Sequence, residues 1–184
     1  MINYNEDESI NTKSIFIKEF GDLLNAIKTN KNINDIVILC VGTDRITGDC
    51  YGPLVGSNLE ELLKNDNISN VNIYGTLENS INYNNIQDVL KNLNDNTCVI
   101  VVDAALSKKE NIGKIFISSG KTALGKGLKK SRIEIGDISI KSVIGKDCKI
   151  PNYNFKMLQN IPLNNVMKLA KITSEGIYHV IKNN

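Results

Sequence analysis

The sequence is poor in the residues on which many catalytic and metal sites depend. It holds one histidine, His179, in 184 residues. A zinc site built on several imidazoles is therefore excluded, and a nucleophilic Cys50 would lack its usual base. The four cysteines, Cys40, Cys50, Cys98 and Cys148, form no C-x-x-C pair. They read as reduced thiols of a cytoplasmic compartment. Neither sign of charge dominates. A net charge of +2 gives no global pull toward nucleic acid or a membrane surface. No apolar run approaches the ~20 residues of a membrane span, and the start, M-I-N-Y-N-E-D-E-S, is too polar and acidic for a signal peptide. A phosphate loop is missing as well. Gly120-Lys121-Thr122 would need a glycine five positions before Gly120, and position 115 is Ile. The later Gly125-x-Gly127 lies among lysines that read as a solvated loop.

What is present is an α/β pattern in a chain of one-domain length, 1–184, with residues 1–11 as a solvated tail. A helix with Phe16, Phe20, Leu23, Leu24 and Ile27 on one face comes first. The stretch 36–41, I-V-I-L-C-V, has the length and character of a strand buried on both faces. Gly42 ends it. A polar loop with Asp44, Arg45 and Asp49 follows, and Gly52-Pro53 opens a helix carrying Leu54, Val55, Leu59, Leu62 and Leu63. A short strand at 71–74, a helix with Ile86, Val89, Leu90 and Leu93, and an apolar strand at 98–102 ending at Asp103 complete a β-α-β-α-β order. That order predicts a parallel, doubly wound sheet. Beyond Asp103, segments 112–118 and 133–143 read as added strands with a Gly- and Lys-rich loop between them. Residues 148–153 read as irregular around Pro151, and the last helix as 163–181.

Two acids stand out. Asp103 follows one apolar strand, and Asp49 lies in the loop after the other. If the strand order is 2-1-3, these strands are neighbours, and both acids emerge at the crevice beyond their carboxyl ends. Such a pair has three uses. It can share a proton, one group acting as general base on water and the other as general acid. It can hold a divalent metal through its oxygens. Or it can cap a helix and brace a loop. The glycines Gly42, Gly48 and Gly52 would let the backbone approach a ligand closely. Thr43 and Thr47 read as turn residues, and Asp44-Arg45 as a loop ion pair or a substrate-positioning pair.

The loop V-G-T-D-R-I-T-G-D-C-Y-G-P-L-V-G resembles the signature of the YyaC family of sporulation proteins, described as spore proteases and related to the spore germination protease. The resemblance continues through Y-G-T-L-E at 74–78, V-D-A-x-L at 102–106, Gly125-x-Gly127, G-D-I at 136–138 and L-Q-N-x-x-L-x-x-V-M-x-x-A at 158–170. It implies a three-layer α/β/α fold and peptide-bond hydrolysis in the cytoplasm, forespore or spore interior. Asp49 and Asp103 fall where the germination protease has its catalytic aspartates. Thr43, Asp44, Arg45, Gly125 and Gly127 are then substrate-binding candidates, the last two as oxyanion-holding backbone. The implied partner is a protein or peptide, with small acid-soluble spore proteins as the substrate guess. No cofactor is implied. Hydrogenase maturation peptidases look like more distant relatives, in which matching acids and a His bind nickel. If a metal is used here, Asp49 and Asp103 would hold it. The chain departs from the YyaC pattern at Cys50 and at Asn82, where a His is usual, and at K-I-P-N-Y-N-F, 149–155. A non-catalytic peptide-binding regulator is the remaining alternative.

Overall fold

The computed structural model describes residues 9–124 and 133–184. The first helix, α1, spans Ser9–Asn30 and so begins inside the expected tail. Phe16, Phe20 and Leu24 on its inner face are fully buried. Strand β1 is Asp35–Cys40, and a 3-10 turn at Gly48–Cys50 leads directly into α2, Tyr51–Leu63. The helix therefore starts two residues before Pro53, and Asp49 sits in its entry turn. Strand β2 (Val71–Tyr74), helix α3 (Ile86–Leu90) and strand β3 (Thr97–Ser107) follow. β3 runs well past Asp103, so this acid lies inside a strand. The strand continues because it has a second neighbour.

That neighbour comes from the second half of the chain. Strands β4 (Ile115–Ser119), β5 (Thr122–Leu124), β6 (Ile133–Ile135) and β7 (Ile138–Lys146) precede α4 (Pro151–Gln159) and α5 (Leu163–Lys182). The central sheet has the order β2-β1-β3-β7-β4. It is parallel except for β4, which pairs antiparallel with β7. β5 and β6 form a separate antiparallel hairpin. Three expectations change here. The single strand expected at 133–143 is broken, because Asp137 ties the junction to β3. Its amide donates to the Val99 carbonyl at 2.7 Å, and its carboxylate accepts the Val99 N–H at 2.9 Å. The Gly- and Lys-rich loop contributes β5. The segment expected to be irregular is α4, with Pro151 in its first turn.

Side chains alternate across the sheet as period two requires. Ile36, Ile38, Ile100, Val102, Ile138 and Ile140 meet α1, α2 and α5 in the larger core. Val37, Leu39, Val99 and Val101 meet Ile86 and Val89 of α3 and Leu124 of the hairpin in the smaller one. In the larger core the Tyr51 hydroxyl lies 2.7 Å from Thr173 Oγ1, both side chains fully buried. Losing one partner of a buried hydrogen bond costs about 1–2 kcal/mol, or roughly 2–8 °C of Tm at this length. Tyr51→Phe is expected to fall in that range by calorimetry. Adding Thr173→Val should recover part of the loss, because both polar groups are then gone. A double variant less stable than the sum of the two singles would contradict this reading.

Candidate functional site

β1 ends at Cys40, while β3 continues to Ser107. The Val41 amide donates to the Val102 carbonyl at 2.8 Å, the last rung between them. Asp103 is therefore the first residue of β3 to clear β1, at the carboxyl edge of the sheet. The chain leaving β1 turns sharply at Gly42 (φ +150°), and its amide donates to the Ile81 carbonyl at 2.8 Å. The Thr43 amide closes the loop by donating to the Asp49 carbonyl at 3.1 Å. The 3-10 turn is pressed from the other side. A Cβ on Gly48 would lie 2.6 Å from Ile144 Cδ1 and 2.9 Å from Leu158 Cδ2. β1, β7 and α4 thus hold the turn in place, and with it Asp49.

The charge of one acid bears on the other. Burial pushes the Asp103 carboxyl up to about 7; the Lys141 charge opposes this, and the Asp49 charge adds to it. Burial pushes Asp49 up to about 6, against a stabilising contribution from the Thr43 amide. Both side chains are half-buried, so solvent still reaches them. Two desolvated carboxyls, one bearing electrostatically on the other and both still reached by solvent, can carry one proton between them near neutral pH. The strand order expected for the crevice is the observed one, since β1 lies between β2 and β3.

The other candidates from this loop fall at its rim. Asp44 and Arg45 are exposed, and Thr43 is half-buried. The Thr43 hydroxyl accepts the Arg45 amide at 3.3 Å and donates to Asp44 at 3.4 Å, so it shapes the turn. Asp44 also accepts from the Ser80 hydroxyl at 3.5 Å. Among the described residues no ion pair joins Asp44 to Arg45, contrary to the default expectation. Asn82 opens α3. Its side-chain oxygen accepts the Asn84 amide at 3.0 Å, and its carbonyl accepts the amides of Asn85 and Ile86 at 3.2 and 3.0 Å. Gly125 and Gly127 lie outside the described residues. Cys50 is no nucleophile. Burial and then the Asp49 charge push its thiol up, and its Sγ donates to the Thr47 carbonyl at 2.9 Å. His179 is exposed in the last turn of α5.

A divalent metal would have Asp49 and Asp103 as its carboxylate ligands here. Among the described residues no three His, Cys, Asp or Glu side chains converge, and a lysine charge already bears on Asp103. That lysine, Lys141, is a residue the sequence reading missed. Its available signal was a single charge in the strand I-S-I-K-S-V-I-G.

Comparisons with known proteins agree with this architecture. A family model described as "Protein of unknown function (DUF1256)" matches residues 4–176. The uncharacterized protein YyaC of Bacillus subtilis (strain 168) is 34% identical over 145 residues, which cover 77% of this chain and 67% of that protein. Among solved structures, the [NiFe] hydrogenase maturation protease HycI from Thermococcus kodakarensis KOD1 superposes with a TM-score of 0.55 at 21% identity. The match covers 82% of this chain and 94% of that one. At that identity the likeness concerns the fold, a mainly parallel sheet flanked by helices. No helix among the described residues is long and apolar enough to cross a membrane.

Proposed function

The chain belongs to the DUF1256 family, and from the acid pair at the carboxyl edge of its sheet we propose that it is an aspartate-dependent endopeptidase. The observation that carries the proposal is that Asp49 and Asp103 are two half-buried carboxyls raised toward neutrality, with the Asp49 charge bearing on Asp103. Asp49 is the preferred anion, because Asp103 is the more deeply buried and also feels the Asp49 charge. Asp49 takes a proton from water, and the water oxygen adds to the scissile carbonyl carbon. Asp103 gives its proton to the carbonyl oxygen. When the tetrahedral intermediate collapses, the C–N bond breaks, the amine leaves with a proton, and the pair again holds one proton. The protease fold shared with HycI supports a peptidase-like activity. Exposed Tyr153 and Phe155 on α4, beside the turn that bears Asp49, offer an apolar rim suited to a peptide. The sporulation setting and small acid-soluble spore proteins as substrates belong to the same proposal. They are supported by the resemblance of the 41–56 loop.

The test is digestion of an unfolded protein mixture in H2¹⁸O, with peptide termini read by mass spectrometry. New carboxyl termini should carry one ¹⁸O from solvent. Cleavage should peak where the pair holds one proton, between about 6 and about 7, and fall on both sides. Asp49→Asn should abolish it. Cleavage undiminished in Asp49→Asn would remove the dyad, and a rate that climbs steadily to pH 9 would point to another base.

A further inference from the structure

β7 is buried along nearly all its length, yet it carries a lysine in its middle. Of its nine residues only Lys141 and the terminal Lys146 are not buried. A charged residue in such a strand is costly unless something compensates it. The register shows where Lys141 faces. Lys141 is the direct partner of Asp103 across the parallel β3–β7 ladder, one rung beyond Val102–Ile140. Ile138 and Ile140 point into the larger core and Val99 and Val101 into the smaller. Alternation therefore puts Lys141 and Asp103 on the same face of neighbouring strands, about 4.8 Å apart along the hydrogen-bonding direction. Asp103 registers the lysine's charge. Even so, the Lys141 ammonium makes no hydrogen bond and no ion pair within 4.0 Å among the described residues. Its three N–H donors are not consumed by the fold. The titratable groups bearing on Asp103 from the elements around it are Asp49 from the 3-10 turn, Tyr51 from α2 and Lys141 from β7. Lys141 is the one cation among them.

We propose that Lys141 is a third catalytic residue, whose ammonium donates a hydrogen bond to the carbonyl oxygen of the scissile peptide and stabilises the negative charge that develops there as water adds, before the Asp103 proton reaches that oxygen. The proposal rests on the peptidase reading of the same crevice. It adds a fixed positive charge to a carboxyl pair that by itself offers only acid and base. Lys141 forms no bond to substrate and loses no proton. Its contribution is electrostatic and is larger for the tetrahedral state than for the planar amide.

The experiment has two arms, run on the wild-type chain, Lys141→Met and Lys141→Arg. In the first, kcat and KM are measured on a peptide the wild type cleaves. Lys141→Met is expected to lose about 10²–10³-fold in kcat with KM little changed, and Lys141→Arg to retain a substantial part. A Lys141→Met variant within threefold of wild type overturns the proposal. The second arm needs no turnover. A library of phosphinic pseudo-peptides, with a tetrahedral anionic phosphinate in place of the amide, is compared with a matched library bearing two methylenes there. Wild type should favour the phosphinates by at least tenfold, Lys141→Arg should keep that preference, and Lys141→Met should lose it. A preference absent in wild type, or equal in Lys141→Met, overturns the assignment of Lys141. A wild type that cleaves nothing but shows the preference and loses it in Lys141→Met removes the peptidase reading and leaves Lys141 as the cation that binds a tetrahedral oxyanion.

Discussion

Asp103→Asn is expected to lower peptide cleavage by about 10³-fold or more and, at pH 8, to raise the melting temperature. The two effects have one cause. Burial, with the Asp49 charge added, lifts the Asp103 carboxyl to about 7 despite the Lys141 charge. In the unfolded chain the same group has its ordinary value, near 3.9. Between those values the native state binds more protons than the unfolded state, so stability falls as pH rises through this window. Below about pH 4 both states carry the protonated acid, and an asparagine of the same shape changes little. Above about pH 7 the wild type must hold a desolvated charge that the amide does not have. The gain in Tm should therefore be near zero at pH 4 and largest at pH 8, measured by calorimetry beside the cleavage assay. Asp49→Asn should show the same pattern over a narrower window, since burial lifts Asp49 only to about 6. A variant that loses activity and also loses the same Tm at both pH values has lost structure, and its inactivity would say nothing about proton transfer. A stabilised, inactive Asp103→Asn is the result that separates a functional acid from a structural one.

Asp49 and Asp103 could be found in the sequence because the two most apolar runs before residue 103 are strands, and an acid near the end of each is conspicuous. The same reasoning misplaced Asp103 slightly. A change from apolar to polar looks like the end of a strand when only one chain segment is in view. β3 in fact runs on to Ser107, paired with β7. That pairing joins residues almost forty positions apart and has no local signal. Lys141 was missed for the same reason. In I-S-I-K-S-V-I-G the lysine looks like the solvent-facing member of an alternating strand, and only the register with β3 puts it beside Asp103. The break between β6 and β7 was equally hidden, because Asp137 acts by bonding the backbone of Val99. Helix α4 is hidden because 148–153 reads as irregular around Pro151, whereas a first helical turn has no use for the missing N–H. Helix α5 was legible from periodicity alone. Its inner residues Val166, Leu169, Ala170, Ile177, Val180 and Ile181 are all buried, and helical periodicity needs no partner to be read.

Gly42→Ala is expected to be a severely damaging single-methyl change at the turn that carries Asp49. The added Cβ would lie 2.0 Å from the Asp49 carbonyl oxygen and 3.0 Å from Pro53 Cδ, at a residue with φ +150°. The nearest obstacle is backbone, so no side chain can rotate away. Either the turn that carries Asp49 moves or the end of β1 does, and each motion strains a hydrogen bond. One runs from the Gly42 amide to the Ile81 carbonyl at 2.8 Å, the other from the Thr43 amide to the Asp49 carbonyl at 3.1 Å. Backbone strain of about 1–2 kcal/mol and one or two weakened hydrogen bonds at about 1 kcal/mol each give a loss of about 3 kcal/mol. For a chain of this length that is roughly 6–12 °C of Tm. Gly120→Ala is the control. Gly120 also has a positive φ, +92°, but a Cβ there would meet nothing within 4 Å. It should therefore lose only the strain contribution and leave cleavage unchanged. Gly42→Ala should lose stability and also cleave about 10²-fold more slowly in the fraction that folds, because a displacement of about 1 Å at a reacting group is enough for that. Equal losses in the two variants would mean that the close approach of β1 to the turn does not position Asp49, and that the crevice owes its geometry to the packing of Gly48 against Ile144 and Leu158 instead.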